Sequence, residues 1–162
     1  MKKVLKYLDR HFEEYVLIIL TTVLVATLFL QVVMRNVTGI TFSWTEELAR
    51  YVFIWSVFIG VSYAVKKNKH IKIDSLGLLF RRNGKFIIST FSNLVFLVFA
   101  IMAVYYGSTT VFEISRMTPG LGISYGWVYA STLIGFSLTL IRLIQSQWNM
   151  IIRWRNNEEV DV

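Results

Sequence analysis

FSWTEELARYVFIWSVFIGVSYAVKKNKHIKID, residues 42–74, joins a polar, acid-rich start, a long apolar run and a lysine-rich end without a break. Its physical reading is a helix that begins in a charged collar on one side of a membrane and ends in a basic cluster on the other. If Lys66 marks one boundary, about 20 residues at about 1.5 Å each place the other near Glu46, matching a hydrocarbon core of about 30 Å. Arg50 then lies roughly one turn inside that boundary, where an unpaired charge is costly.

The rest of the chain has the same character. Its 162 residues are 55% hydrophobic, and the mean hydropathy is +0.54. The apolar residues come in long runs, the mark of a membrane protein. Spans are expected at residues 15–34, 46–65, 86–106 and 125–144, giving an all-α integral membrane fold of four helices in a single membrane domain over residues 1–162. The first run exceeds a signal-peptide core and is not closed by a cleavage pattern, so it reads as a retained span. Leu5, Leu8 and Phe12 before it, and Leu76, Leu79 and Phe80 after Asp74, have the spacing of short amphipathic helices lying at the interface. Pro119, Gly120 and Gly122 end the third span and turn the chain, and Ser124 suits the N-cap of the fourth.

Orientation follows from the basic residues. The segment before the first span, residues 66–85 and the C-terminal end carry all but three of the 17 lysines and arginines; the exceptions are Arg35, Arg50 and Arg116. The positive-inside rule then places both termini in the cytoplasm. The net charge of +7 is explained by these flanks rather than by a nucleic-acid-binding face. Cysteine is absent, which excludes disulfides, thiolate metal sites and cysteine nucleophiles.

The central parts of the spans hold no Asp, Glu, Lys, Arg or His, so a catalytic constellation or an ion-coupling site at depth is not legible. His11 and His70 lie in cytoplasmic segments, too far apart for haem ligation across a bilayer. Gln31 and Asn93 read as interhelical hydrogen-bonding groups, and Gly60 with Ala64, four residues on, as a site of close helix packing. No metal or cofactor is implied.

The collar is richer. Ser43-Trp44-Thr45-Glu46 fits a capping box, and Arg50 stands at helical pairing distance from Glu46 and Glu47. These residues alone describe a well-capped helix with a local ion pair. With Arg35 brought close by a short linker, they also describe a docking surface of two acids and two bases for another membrane chain or an external protein.

Arg35, the Trp44-Thr45-Glu46-Glu47-Leu48-Ala49-Arg50 segment, Gly60, His70-Ile71, Asp74, Pro119-Gly120-Leu121-Gly122-Ile123 and Gly135 together resemble the small membrane subunit, DctQ type, of tripartite ATP-independent periplasmic (TRAP) transporters. Many members have proline two residues before the last of these glycines, where this chain has Leu133. The resemblance implies a non-catalytic subunit in the bacterial inner membrane, with partners in a large multi-span transport subunit, a periplasmic solute-binding protein and membrane lipid. In that scheme the binding protein captures an organic acid, such as a sialic acid or a dicarboxylate. The large subunit moves it with sodium ions, and the small one braces the large one's scaffold. Arg35, Trp44, Glu46, Glu47 and Arg50 would then form a subunit-interaction or structural collar, and His70 with Asp74 a cytoplasmic loop motif. A self-sufficient oligomeric channel or carrier is the alternative from a different class, against which the lack of pore-lining charges argues.

Overall fold

A computed structural model describes residues 2–40, 42–67 and 82–155, and these are helical but for short connections. The helices are α1 (Lys2–Thr38), α2 (Ser43–Lys66), α3 (Arg82–Glu113) and α4 (Gly126–Arg155). All four are long and apolar enough to cross a membrane. The 37 residues of α1 run about 55 Å at about 1.5 Å each, well beyond a hydrocarbon core of about 30 Å. The amphipathic lead-in expected before the first span is therefore the first turns of α1 itself. The other expected interfacial helix, together with His70 and Asp74, lies outside the described residues. At the far end of α1, Gly39 takes a left-handed φ of 69° and donates its N–H to the Arg35 carbonyl at 3.1 Å, the glycine-terminated stop that side-chain-bearing residues make poorly.

The helices form an open row rather than a closed bundle: α1 lies against α2, α2 against α4, and α4 against α3. Only 6% of the spanning windows of α1 and α3 is buried within the chain, against 28% for α2 and 33% for α4. The flanking helices thus offer their side chains to lipid or to another chain, and the internal packing belongs to the central pair.

Lipid tails are as apolar as leucine, so helices in a bilayer adhere through close packing and hydrogen bonds rather than through burial from water. The α2–α4 seam follows that rule. A Cβ added at Gly135 would sit 2.5 Å from Phe58 Cβ and 2.9 Å from its carbonyl oxygen, so glycine is what lets these backbones approach. Small polar residues Ser62, Ser131 and Thr139 are fully buried, and Thr139 returns its hydroxyl to the Gly135 carbonyl at 2.8 Å. Phe136 packs against Phe58 and Phe99, each with ring centroids 5.6 Å away, beside a core of Val65, Ala100 and Leu143. On the α3–α4 seam Asn93 donates to Gln147 at 3.0 Å, whose own amide reaches Thr90 at 3.3 Å.

One local expectation is corrected. The capping box does not form: Phe42 occupies the N-cap with extended backbone and no side-chain cap bond, and Ser43 is already helical. The reason is that Glu46 turns outward to α1 instead of back to its own helix end, while Thr45 bonds the Phe42 carbonyl at 2.7 Å. At the fourth helix, Ser124 Oγ accepts from the Gly126 N–H at 3.1 Å.

Overpacking a close helix contact costs about 1–3 kcal/mol. Gly135→Leu is therefore expected to lower the thermal midpoint of the detergent-solubilised chain by that equivalent. By contrast an added Cβ at Gly60 meets nothing, so Gly60→Ala should hold or raise the midpoint by up to about 1 kcal/mol through helix propensity.

Candidate functional site

Two buried carboxylates organise the two ends of the row. At the end that holds the start of α2, Glu47 on the second turn of that helix is 8% exposed and has both oxygens engaged. Its Oε2 accepts the N–H groups of Gly120 at 2.9 Å and Leu121 at 2.7 Å. Its Oε1 accepts the Tyr51 hydroxyl at 2.7 Å. Glu47 thereby clamps the loop between α3 and α4 onto the start of α2. The loop is shaped to be held: Met117 pairs with Ser124 in an isolated antiparallel bridge, and buried Thr118 donates its N–H to Ile123 O at 2.8 Å. Gly122 turns the chain at φ 65°. Gly120 is required for a different reason, since its added Cβ would lie 2.6 Å from Glu47 Oε2 and 3.2 Å from the Ser43 carbonyl. Tyr51 also meets Tyr125 edge-on, with ring centroids 6.4 Å apart.

The residues singled out in the sequence separate into distinct roles. Glu46 accepts from Gln31 of α1 at 3.1 Å, so the two adjacent acids face different neighbours, one the first helix and the other the loop. Arg35 and Arg50 are exposed, and among the described residues neither joins an ion pair, because Glu46 and Glu47 are held elsewhere. Trp44 is partly exposed beside Phe42 at the start of α2. Gly60 faces open space within this chain, and Ala64 is half-buried. Asn93 lies far from the collar, in the α3–α4 seam.

The second carboxylate, Glu13, is a functional residue that sequence reasoning missed. It is fully buried in the N-terminal half of α1, where its Oε2 pairs with Lys66 of α2 and its Oε1 with Arg142 Nε of α4 at 2.7 Å. Arg142 also donates to Gln145 at 2.7 Å. Three helices thus converge on one anion. In the sequence Glu13 reads as one more charge in a basic flank, and Arg142 as one more inside cation, with 129 residues between them. The available signal was periodicity: Glu13 stands 18 residues, about five turns, before Gln31, which puts both on the face of α1 turned to its neighbours.

Chemically, each carboxylate is saturated with donors and fixed in place. Such groups hold helices; they are poorly placed to take up or release a travelling proton or ion. Losing a hydrogen bond to a charged group costs about 1.5–3 kcal/mol, so Glu47→Gln should speed amide exchange at Gly120 and Leu121 by at least about tenfold in hydrogen-exchange mass spectrometry. Removing one partner of a buried ion pair costs about 3–5 kcal/mol. Glu13→Ala should therefore markedly lower the thermal midpoint.

Residues 24–153 match the family model described as "Tripartite ATP-independent periplasmic transporters, DctQ component". The chain is 30% identical over 144 residues to the sialic acid TRAP transporter permease protein SiaT of Haemophilus influenzae, a match that covers 88% of this chain and 23% of that longer protein. It is 25% identical over 154 residues to the sialic acid TRAP transporter small permease protein SiaQ of Vibrio cholerae, covering 92% and 87% of the two chains. With the ectoine TRAP transporter small permease protein TeaB of Halomonas elongata it shares 28% identity over 136 residues, covering 81% and 70%. With the family model aligned across the collar, the outer loop and both carboxylate clamps' α2 and α4 partners, the protein belongs to the DctQ component family of the tripartite ATP-independent periplasmic transporters.

Proposed function

We propose that this chain is a small, non-catalytic subunit of a TRAP transporter in the bacterial inner membrane, bracing a large transport subunit that takes up an organic acid with sodium ions. The single observation that carries this reading is the use of Glu13 and Glu47: both buried acids are saturated by donors from neighbouring helices and the outer loop, an arrangement that suits a scaffold. Solute and ion movement then belong to the large subunit, and delivery to a periplasmic binding protein. The solute is an organic acid of the sialic acid or dicarboxylate class, with sialic acid favoured by the names of SiaT and SiaQ. TeaB, named for ectoine, is similar enough to suggest that solute choice is made outside this subunit.

The charge asymmetry of the flanks supports cytoplasmic termini. The collar of Arg35, Trp44, Glu46, Glu47 and Arg50 then sits at the periplasmic surface, where Glu47 fixes the shape of the outer loop and the two arginines face outward to a partner. Gly60 and Ala64 supply a close-packing surface, Asn93 ties α3 to α4, and His70 with Asp74 belongs to the cytoplasmic connection.

Proteoliposomes containing the large subunit alone, supplied with binding protein, solute and a sodium gradient, should show little uptake until this chain is added. Full uptake without it contradicts the reading. Orientation is separately accessible because native cysteine is absent: Gly39→Cys should react with an impermeant thiol reagent applied outside intact cells, and Lys67→Cys should not.

A further inference from the structure

The central helix α2 carries one face that the chain covers only in part, with Glu46 at its tip accepting from Gln31 of α1 and Arg50, Phe53 and Val57 exposed. At about 100° per residue, Glu46, Arg50, Phe53, Val57, Gly60 and Ala64 lie within about 40° of a common line along the helix. The buried residues of α2, Thr45, Glu47, Ala49, Tyr51, Val52, Ile59, Ser62 and Val65, all fall outside that sector. Beyond Glu46 the buried contacts of α2 lie on its other sides, which is consistent with α1 and α4 meeting behind it through Glu13 and Arg142. Along the ridge Phe53 and Val57 are 57% and 45% exposed, Arg50 is exposed, and the surroundings of Gly60 are open.

A face meant only for lipid has no use for this pattern. Arg50 is an arginine at the rim of the hydrocarbon core, and the two acids within helical reach of it are bound to Gln31 and to the outer loop. Arg50 feels the nearby Glu47 carboxylate but makes no direct ion pair among the described residues, which leaves its guanidinium a place for an anion from a second chain. Ten residues further on, about 15 Å along the axis, Gly60 removes side-chain bulk at a place where this chain does not use the space. A cation at one end and an unfilled close-approach point at the other are complementary to a second helix lying along the ridge. Phe53 and Val57 supply the apolar contact between them.

We propose that this ridge of α2 is the face on which a membrane-spanning helix of the large transport subunit docks, with an acidic side chain of that helix paired to Arg50. This rests on the reading of the chain as a transporter subunit. The large subunit is the fitting occupant because the segment similar to this chain is 23% of SiaT, a longer TRAP transporter permease protein, and so is covalently joined there to the rest of that permease. The docking helix carries Asp or Glu about ten residues from its point of closest approach to Gly60.

The test uses the affinity-tagged full chain co-expressed with its large subunit and recovered in mild detergent, with a photo-crosslinking residue placed at Val57 or, as a comparison, at exposed Val95 of α3. Val57 is expected to capture the large subunit and Val95 lipid. Arg50→Glu and Gly60→Leu should each reduce recovery of the large subunit by about tenfold or more, with helical content and elution of the chain unchanged, while Arg50→Lys retains most of it. Acid-to-base substitution in the docking helix should restore recovery with Arg50→Glu. Capture of lipid alone at Val57, capture of the large subunit from Val95 instead, or normal recovery with both Arg50→Glu and Gly60→Leu would overturn the docking face while leaving the subunit reading intact. Failure of the unmodified chain to recover any large subunit would overturn the subunit reading itself, and the docking face with it.

Discussion

Glu47 fixes one end of the molecule by a simple electrostatic arrangement: one buried carboxylate facing two loop N–H groups and a tyrosine hydroxyl. Backbone N–H groups at membrane level need an acceptor, and the loop between α3 and α4 has two that point into the chain rather than to solvent. The carboxylate answers both, and charge-assisted bonds of this kind are about twice as strong as neutral ones. The loop's glycines follow from it, since a side chain at Gly120 would collide with the clamp. Glu13 repeats the device at the opposite end, with cations in place of amides.

Between these two clamps the row relies on shape. The backbones of α2 and α4 approach through Gly135, and small buried hydroxyl-bearing residues line their seam. Only 6% of the spanning windows of α1 and α3 is buried by the chain itself. An open row of helices with fixed ends and bare flanks is suited to lying against something larger. A self-contained pore needs the opposite, a closed ring with a polar interior.

Much of this was legible in the sequence. Hydropathy runs of about 20 residues located four spans because a bilayer admits no shorter helical solution, and the same runs understated α1, α3 and α4, whose ends continue beyond the hydrocarbon. The acid-rich start of α2 was recognisable as the polar feature of the chain. Its partners were not, because i to i+4 spacing proposes Arg50 for Glu46 and Glu47, whereas the fold supplies Gln31 from α1 and N–H groups from 73 and 74 residues away. Sequence separation hid Glu13 and Arg142 for the same reason: the pairing exists only once α1 and α4 stand behind α2. Gly60 shows the reverse failure. Small-residue spacing marked Gly60, whose added Cβ meets nothing in this chain, while Gly135, noted in the sequence only through the family resemblance, makes the close contact with Phe58.

A brace and a conduit differ in what the isolated chain does. Purified to homogeneity, reconstituted alone into liposomes and given gradients of sodium and of sialic acid, this chain should pass neither above the leak of empty liposomes. Saturable movement of either through the chain by itself would contradict the division of labour on which the whole reading depends.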